Sequence, residues 1–153
     1  MQNGLGAPVA QVPGSDEILI GRPQIAANYE TIAAGSQGSV VVGIKTSAPM
    51  GVKYFCAMFD DSFDPIAMDC VSIRYQTEWD QTEVEILNGS GNVGVVFGIN
   101  GVIRAEYLAR IPILHQGSEF TFTFANRTGQ DVRSDVAIHG WLIPRNKMKE
   151  YMV

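Results

Sequence analysis

The sequence predicts an all-β chain, an antiparallel β-sandwich of jelly roll-like form with an extended N-terminal arm, and three observations carry that reading. Short β-type runs, about eight or nine of them, recur every 8 to 12 residues or so between clusters of Gly, Pro, Asn and Asp. No stretch holds apolar residues at helical period for the length of a long helix. Residues 119–126 read EFTFTFAN, so Phe120, Phe122 and Phe124 alternate with Thr121 and Thr123 and place rings on one face and hydroxyls on the other. Many strands without helices between them pack as a sandwich or barrel. The strand number and the lack of a Cys, Trp, Cys core pattern favour the jelly roll over an immunoglobulin-like arrangement.

Residues 1–38 show no sustained periodicity and are rich in Gly, Pro, Ala, Gln and Asn, the composition of an extended arm. Two pieces stand out within it. Residues 17–20 (EILI) are apolar enough to add a strand to another surface, and Ile25, Tyr29 and Ile32 recur at helix-like spacing. Ile18, Leu19, Ile20, Ile25, Tyr29 and Ile32 are therefore the expected arm anchors, docking on a neighbouring subunit; folding back on their own domain is the alternative.

The sandwich is expected over residues 39–143. Residues 39–46 (SVVVGIKT) form a β-branched strand, APMG at 48–51 a turn, and 52–59 (VKYFCAMF) the second strand. Residues 68–77 alternate, with Cys70, Ser72, Arg74 and Gln76 on one face and Val71, Ile73, Tyr75 and Thr77 on the other. A strand at 82–87, a turn at 88–92 and a strand at 93–99 follow; Asn100-Gly101, a type I′ turn signal, leads into 102–108. Pro112 favours an edge for residues 110–115. Residues 119–144 then read as a β-hairpin, with 126–131 as its turn, ahead of a short C-terminal tail, 144–153.

The 153 residues suit one domain able to bury a core, 46% being apolar and only 18% charged. Such a low charge fraction fits a surface that lies against other proteins. A net charge of -5 with scattered basic residues argues against nucleic acid as a ligand. No apolar run approaches the roughly 18 to 20 residues that span a bilayer, and the first residues lack the basic flank and apolar core of an export signal. A soluble chain without a membrane partner is expected. Cys56 and Cys70 fall on strands that would neighbour each other across 60–67, so a bridge is conceivable, with two buried thiols as the preferred state.

Chemistry-bearing groups are sparse. Asp60, Asp61, Asp64 and Asp69 supply oxygens of the kind calcium takes, but their spacing departs from the calcium loop and a solvated turn is the plainer reading. Glu78, Asp80, Glu83 and Glu85 form a second acidic patch without a recognisable glycosidase arrangement. His115 and His139 are the two histidines, too few to build a metal site without acidic partners. GSGNVG at 89–94 has the glycines of a phosphate loop but no helix expected after it, and no GxSxG nucleophile motif occurs. Asn88-Gly89-Ser90 and Asn126-Arg127-Thr128 fit the glycosylation sequon and are read as exposed turns. No cofactor, metal or catalytic residue is expected.

Taken together, the arm at 1–38, the sandwich at 39–143 and the closing FTFTFANRTGQDVRSDVAIHGWLIP resemble small virion proteins of tailed bacteriophages, whose chains often finish on two strands of this style. The resemblance implies a non-enzymatic capsid decoration or cement protein, located in a virion assembled in the host cytoplasm. Its expected partners are copies of itself, in a trimer, and the major capsid or other virion proteins. Tyr107, Arg133, His139 and Trp141 are candidates for the subunit interface. Two alternatives remain: another head-vertex or tail component, or a carbohydrate-binding sandwich using Trp79, Trp141, Tyr54, Tyr75 and Tyr107 to stack on sugar rings.

Overall fold

The computed structural model describes residues 22–45, 48–59, 67–76, 83–97, 102–104 and 112–143. These hold β1 (Pro23–Ile32), β2 (Gln37–Gly43), β3 (Met50–Phe59), β4 (Met68–Tyr75), β5 (Val84–Glu85) and β6 (Gly91–Asn92). One helical turn, α1 (Val93–Val96), precedes β7 (Val102–Arg104), β8 (Ile113–Leu114), β9 (Glu119–Asn126) and β10 (Val132–Leu142). The strands make two antiparallel sheets. One runs β1-β10-β3-β7 with β8 also on β3; the other runs β2-β9-β4-β5 with β6 also on β4.

This order identifies the fold. Among the described strands β1 pairs with β10, β2 with β9 and β3 with β8, so these strands follow the pattern of one long hairpin doubled on itself. The β10–β3 and β9–β4 ladders then roll that hairpin into two facing layers. A hairpin rolled in this way is a jelly roll.

The core lies between the layers, and strand alternation fills it. Phe120, Phe122 and Phe124 on β9 point inward and are fully buried, as the FTFTF pattern requires. Phe55 of the opposite sheet sits 5.3 Å from the Phe120 ring and 5.4 Å from the Phe122 ring, and Phe59 meets Phe124 edge-on at 5.0 Å. Each such ring contributes roughly 1.5–3 kcal/mol by leaving water. The aromatic column therefore joins the two layers.

Several expectations are corrected. Residues 119–144 are not a hairpin: β9 belongs to one sheet and β10 to the other, and the connection crosses between them. Alternation shows which face of a strand is buried, not which strand lies beside it. Likewise β3 and β4 sit in different layers, so Cys56 and Cys70 are not on neighbouring strands; both are free, and Cys70 is in the core.

Residues 22–38, expected within the arm, hold β1 and the start of β2. β1 pairs with β10 from Pro23 opposite Trp141 to Ile32 opposite Val132. The helix-like spacing misled because an offset of four is also an even offset in a strand. Ile25 and Tyr29 thus share one face, while Ile32, an odd step away, turns into the core. Residues 93–99 were expected as a strand, yet 93–96 form a helical turn capped by the Asn92 side chain, with Gly94 N donating to Oδ1 at 2.8 Å.

Two bulges change parity. In β4 the register shifts between Cys70 and Ser72, which makes Val71 the extra residue and lets Cys70 and Ile73 both face inward. The other shift, opposite His139 and Gly140, makes Lys53 of β3 the extra residue. β10 itself runs unbroken, so Trp141 keeps the parity of the outward His139 and is 4% exposed on that face, packed over Gly51 beside Ile143, while Leu142 packs on the core.

Candidate functional site

The outer face of the first sheet carries the most distinctive surface. Register places residues of β1, β10 and β3 side by side in rows: Ile25, His139 and Tyr54; then Ala27, Ala137 and Cys56; then Tyr29, Asp135 and Met58. The middle row is made of small side chains, while the rows on either side are larger. The result is a groove running across three strands, with a volume of about 640 Å³. Its rims are exposed and mostly apolar: Met58 is 73% exposed, Ile25 61% and Tyr29 51%.

The polar groups of the groove are engaged at its edges. His139 stacks on Tyr54 with ring centroids 4.6 Å apart, and its Nε2 lies 3.8 Å from the Cys56 sulfur. Arg133 donates to Asp135 across 3.2 Å and holds its guanidinium 3.7 Å from the centre of the Tyr29 ring. That carboxylate raises the Arg133 pKa further. Partial burial pushes the Cys56 thiol up, the opposite of what a nucleophilic cysteine needs, so Cys56 meets a ligand as a neutral, small and soft surface. The arrangement suits recognition of apolar side chains.

The expected site residues divide accordingly. Ile25, Tyr29, Arg133 and His139 come together on this face; Ile32 is core, and Trp141 is buried over Gly51 farther along the His139 face, outside the groove. Ile18, Leu19, Ile20 and Tyr107 lie outside the described residues. Of the candidate sugar-stacking aromatics, Trp141 and Tyr75 are buried, and Trp79 and Tyr107 are outside the described residues. The groove floor was missed, although β3 carried its signal: Tyr54, Cys56 and Met58 alternate with Phe55, Ala57 and Phe59, an apolar strand on both faces. A strand of that composition implies cover on both sides.

The acidic residues serve the scaffold. Arg127 grips Asp69 through Nε at 2.8 Å and Nη2 at 3.1 Å, which holds that carboxyl below the usual carboxylate range. Asp60, Asp61 and Asp64 lie outside the described residues, as do Glu78 and Asp80. Glu83 pairs with Arg74 at 3.7 Å, and Glu85 accepts from Ser72 Oγ at 2.7 Å and from Ile73 N at 2.9 Å beside the β4 bulge. Burial drives the Cys70 thiol up to about 12. Among the described residues no group of three or more His, Cys, Asp or Glu is placed to hold a metal ion, and no helix is long and apolar enough to cross a membrane. The α1 turn after 89–92, at four residues, is too short to make an anion site.

The second sequon is structural. Asn126 is buried; its Nδ2 donates to Ile32 O at 2.9 Å and Gln130 O at 2.8 Å, and its Oδ1 accepts from Thr128 N and Oγ1. It is not the exposed turn residue expected.

No family model matches the chain, and no curated protein matches it. Among solved structures it is similar to the core of Drosophila NLP, described for pentamer formation and histone binding, at 15% identity over 78% of this chain and 99% of that one, with a TM-score of 0.26. It is also similar to VP2 of infectious bursal disease virus in a subviral particle, at 15% identity over 86% of this chain and 44% of that one, with a TM-score of 0.21. A structure of the Gx strain of that virus gives 13% identity, 86% and 43% coverage and a TM-score of 0.19. The chain's own strand order, rather than any of these likenesses, carries its assignment to the jelly roll fold.

Proposed function

We propose that this chain is a non-enzymatic structural protein of a bacteriophage virion, a decoration or cement protein that oligomerises and stabilises the shell. The observation that carries this reading is the apolar outer face of the β1-β10-β3 sheet, where Ile25, Tyr29 and Met58 are exposed around a floor of Ala27, Ala137 and Cys56. A clustered apolar surface of this kind favours being covered by protein. The carboxylates that were candidates for chemistry, Asp69 and Glu85, are instead held by Arg127, Ser72 and the backbone of Ile73. Residues preceding β1 supply the arm that reaches a neighbouring subunit or the shell, and a trimer is the expected assembly.

Light scattering on the full chain tests this. The expected mass is three times the 16.6 kDa of one chain, and the oligomer should bind shells assembled without it. A monomer at micromolar concentration that binds oligosaccharides would overturn the proposal in favour of a glycan-binding module.

A further inference from the structure

We infer that the groove across β1, β10 and β3 receives residues 17–20 of a neighbouring copy of this chain. This rests on the oligomeric reading above and specifies the contact that joins the copies. Strands stand about 4.8 Å apart, so a floor three strands wide spans roughly 10 Å, and four extended residues cover about 13 Å. The two lengths match. Within residues 1–21, Ile18, Leu19 and Ile20 are the one place where three large aliphatic side chains stand together. A floor of two alanines and a neutral thiol leaves room for such side chains between the larger rows.

Chain length decides which copy supplies the segment. Leu142 N donates to Arg22 O at 2.7 Å, so the backbone still follows the β1 ladder at Arg22 and runs off the end of the sheet there. The floor residue Ala27 is five residues back along the strand, about 16 Å away. Ile18 is four residues from Arg22 and reaches about 14 Å at full extension, some of which is consumed in reversing direction. Leu19 and Ile20 reach less. The segment therefore cannot lay all three aliphatic side chains across its own floor, since at most Ile18 reaches it, while a neighbour's segment has no such restriction. Charge agrees: Asp16 and Glu17 lead into the aliphatics, and Lys53, exposed at the β3 bulge, stands next to Tyr54 on one rim.

Cys56 on the floor provides the test. Leu19→Cys in the full chain, mixed as light and nitrogen-15-labelled protein and mildly oxidised, should give a disulfide between position 19 of one isotope and Cys56 of the other. Adding Cys56→Ser should abolish it. In parallel, Ala137→Glu on the floor, and Ile18→Ser, Leu19→Ser and Ile20→Ser combined, should each raise the dissociation constant of the oligomer at least about tenfold while the circular dichroism spectrum is retained. A bridge formed only within single chains would overturn the inference. So would an oligomer weakened by Ala137→Glu but untouched by the triple change, since another surface would then fill the groove. An oligomer indifferent to both changes defeats the groove and leaves the proposed function standing, whereas a monomeric full chain defeats the proposed function itself.

Discussion

Asn126 shows how much one polar side chain contributes where the chain crosses between layers. It satisfies the carbonyls of Ile32 and Gln130 and accepts from Thr128, so its loss strands a buried acceptor. Asn126→Ala is expected to cost about 3 kcal/mol in urea unfolding, the range for an unsatisfied buried polar group plus lost hydrogen bonds. The thiols should separate as clearly. Cys56, partly exposed on the groove, should react slowly with a disulfide reagent in the native protein, and Cys70, with its thiol near 12, only after unfolding. For Asp69, a folded pKa lowered by Arg127 means that its stabilisation is present above the unfolded value near 3.8 and is lost as pH falls through the folded value. The pair is largely solvent-exposed, so the stability gap between the wild type and Asp69→Asn should be only about 0.5 kcal/mol. That gap should hold from pH 7 to 5 or so and close below pH 4 or thereabouts, as measured by unfolding at each pH.

At the scale of elements, the bulges decide which side chains the surface receives. Gly140 lies at the register shift between β10 and β3, where an added Cβ would overlap the carbonyl of Gly51. Glycine here permits a close approach of two backbones. Gly140→Ala should therefore push β10 from β3 and cost at least about 3 kcal/mol, seen as an earlier thermal transition. The core parity of Phe120, Phe122 and Phe124 was legible because one unbroken alternation runs through β9. So was the shared parity of His139 and Trp141 against Ile138 and Leu142, because β10 is unbroken; the parity of Cys70 was not, since it flanks an inserted residue whose position depends on the partner strand. The groove was half legible for the same reason: the two-faced apolar character of β3 was visible, but not the alignment of Cys56 with Ala137 and Ala27.

Across the whole molecule, stability depends on contact between the two rolled layers. Phe55 is fully buried and meets Phe97, Phe120 and Phe122. Phe55→Ala should cost about 3–5 kcal/mol through lost burial and the cavity left behind. For a chain of this size that corresponds to a melting temperature lower by about 10 °C or more in calorimetry.

The sequence by itself determined that the chain is all-β, that Phe120, Phe122 and Phe124 line the core, and that β3 is apolar on both faces, because side-chain alternation is local. Tertiary structure decided that β1 joins β10, that β9 and β10 lie in opposite sheets, and that three small residues line up as a groove. The physical reason is that backbone ladders are nearly indifferent to sequence. Which strands become neighbours, and in what register, is settled only when all the apolar faces compete for one shared core.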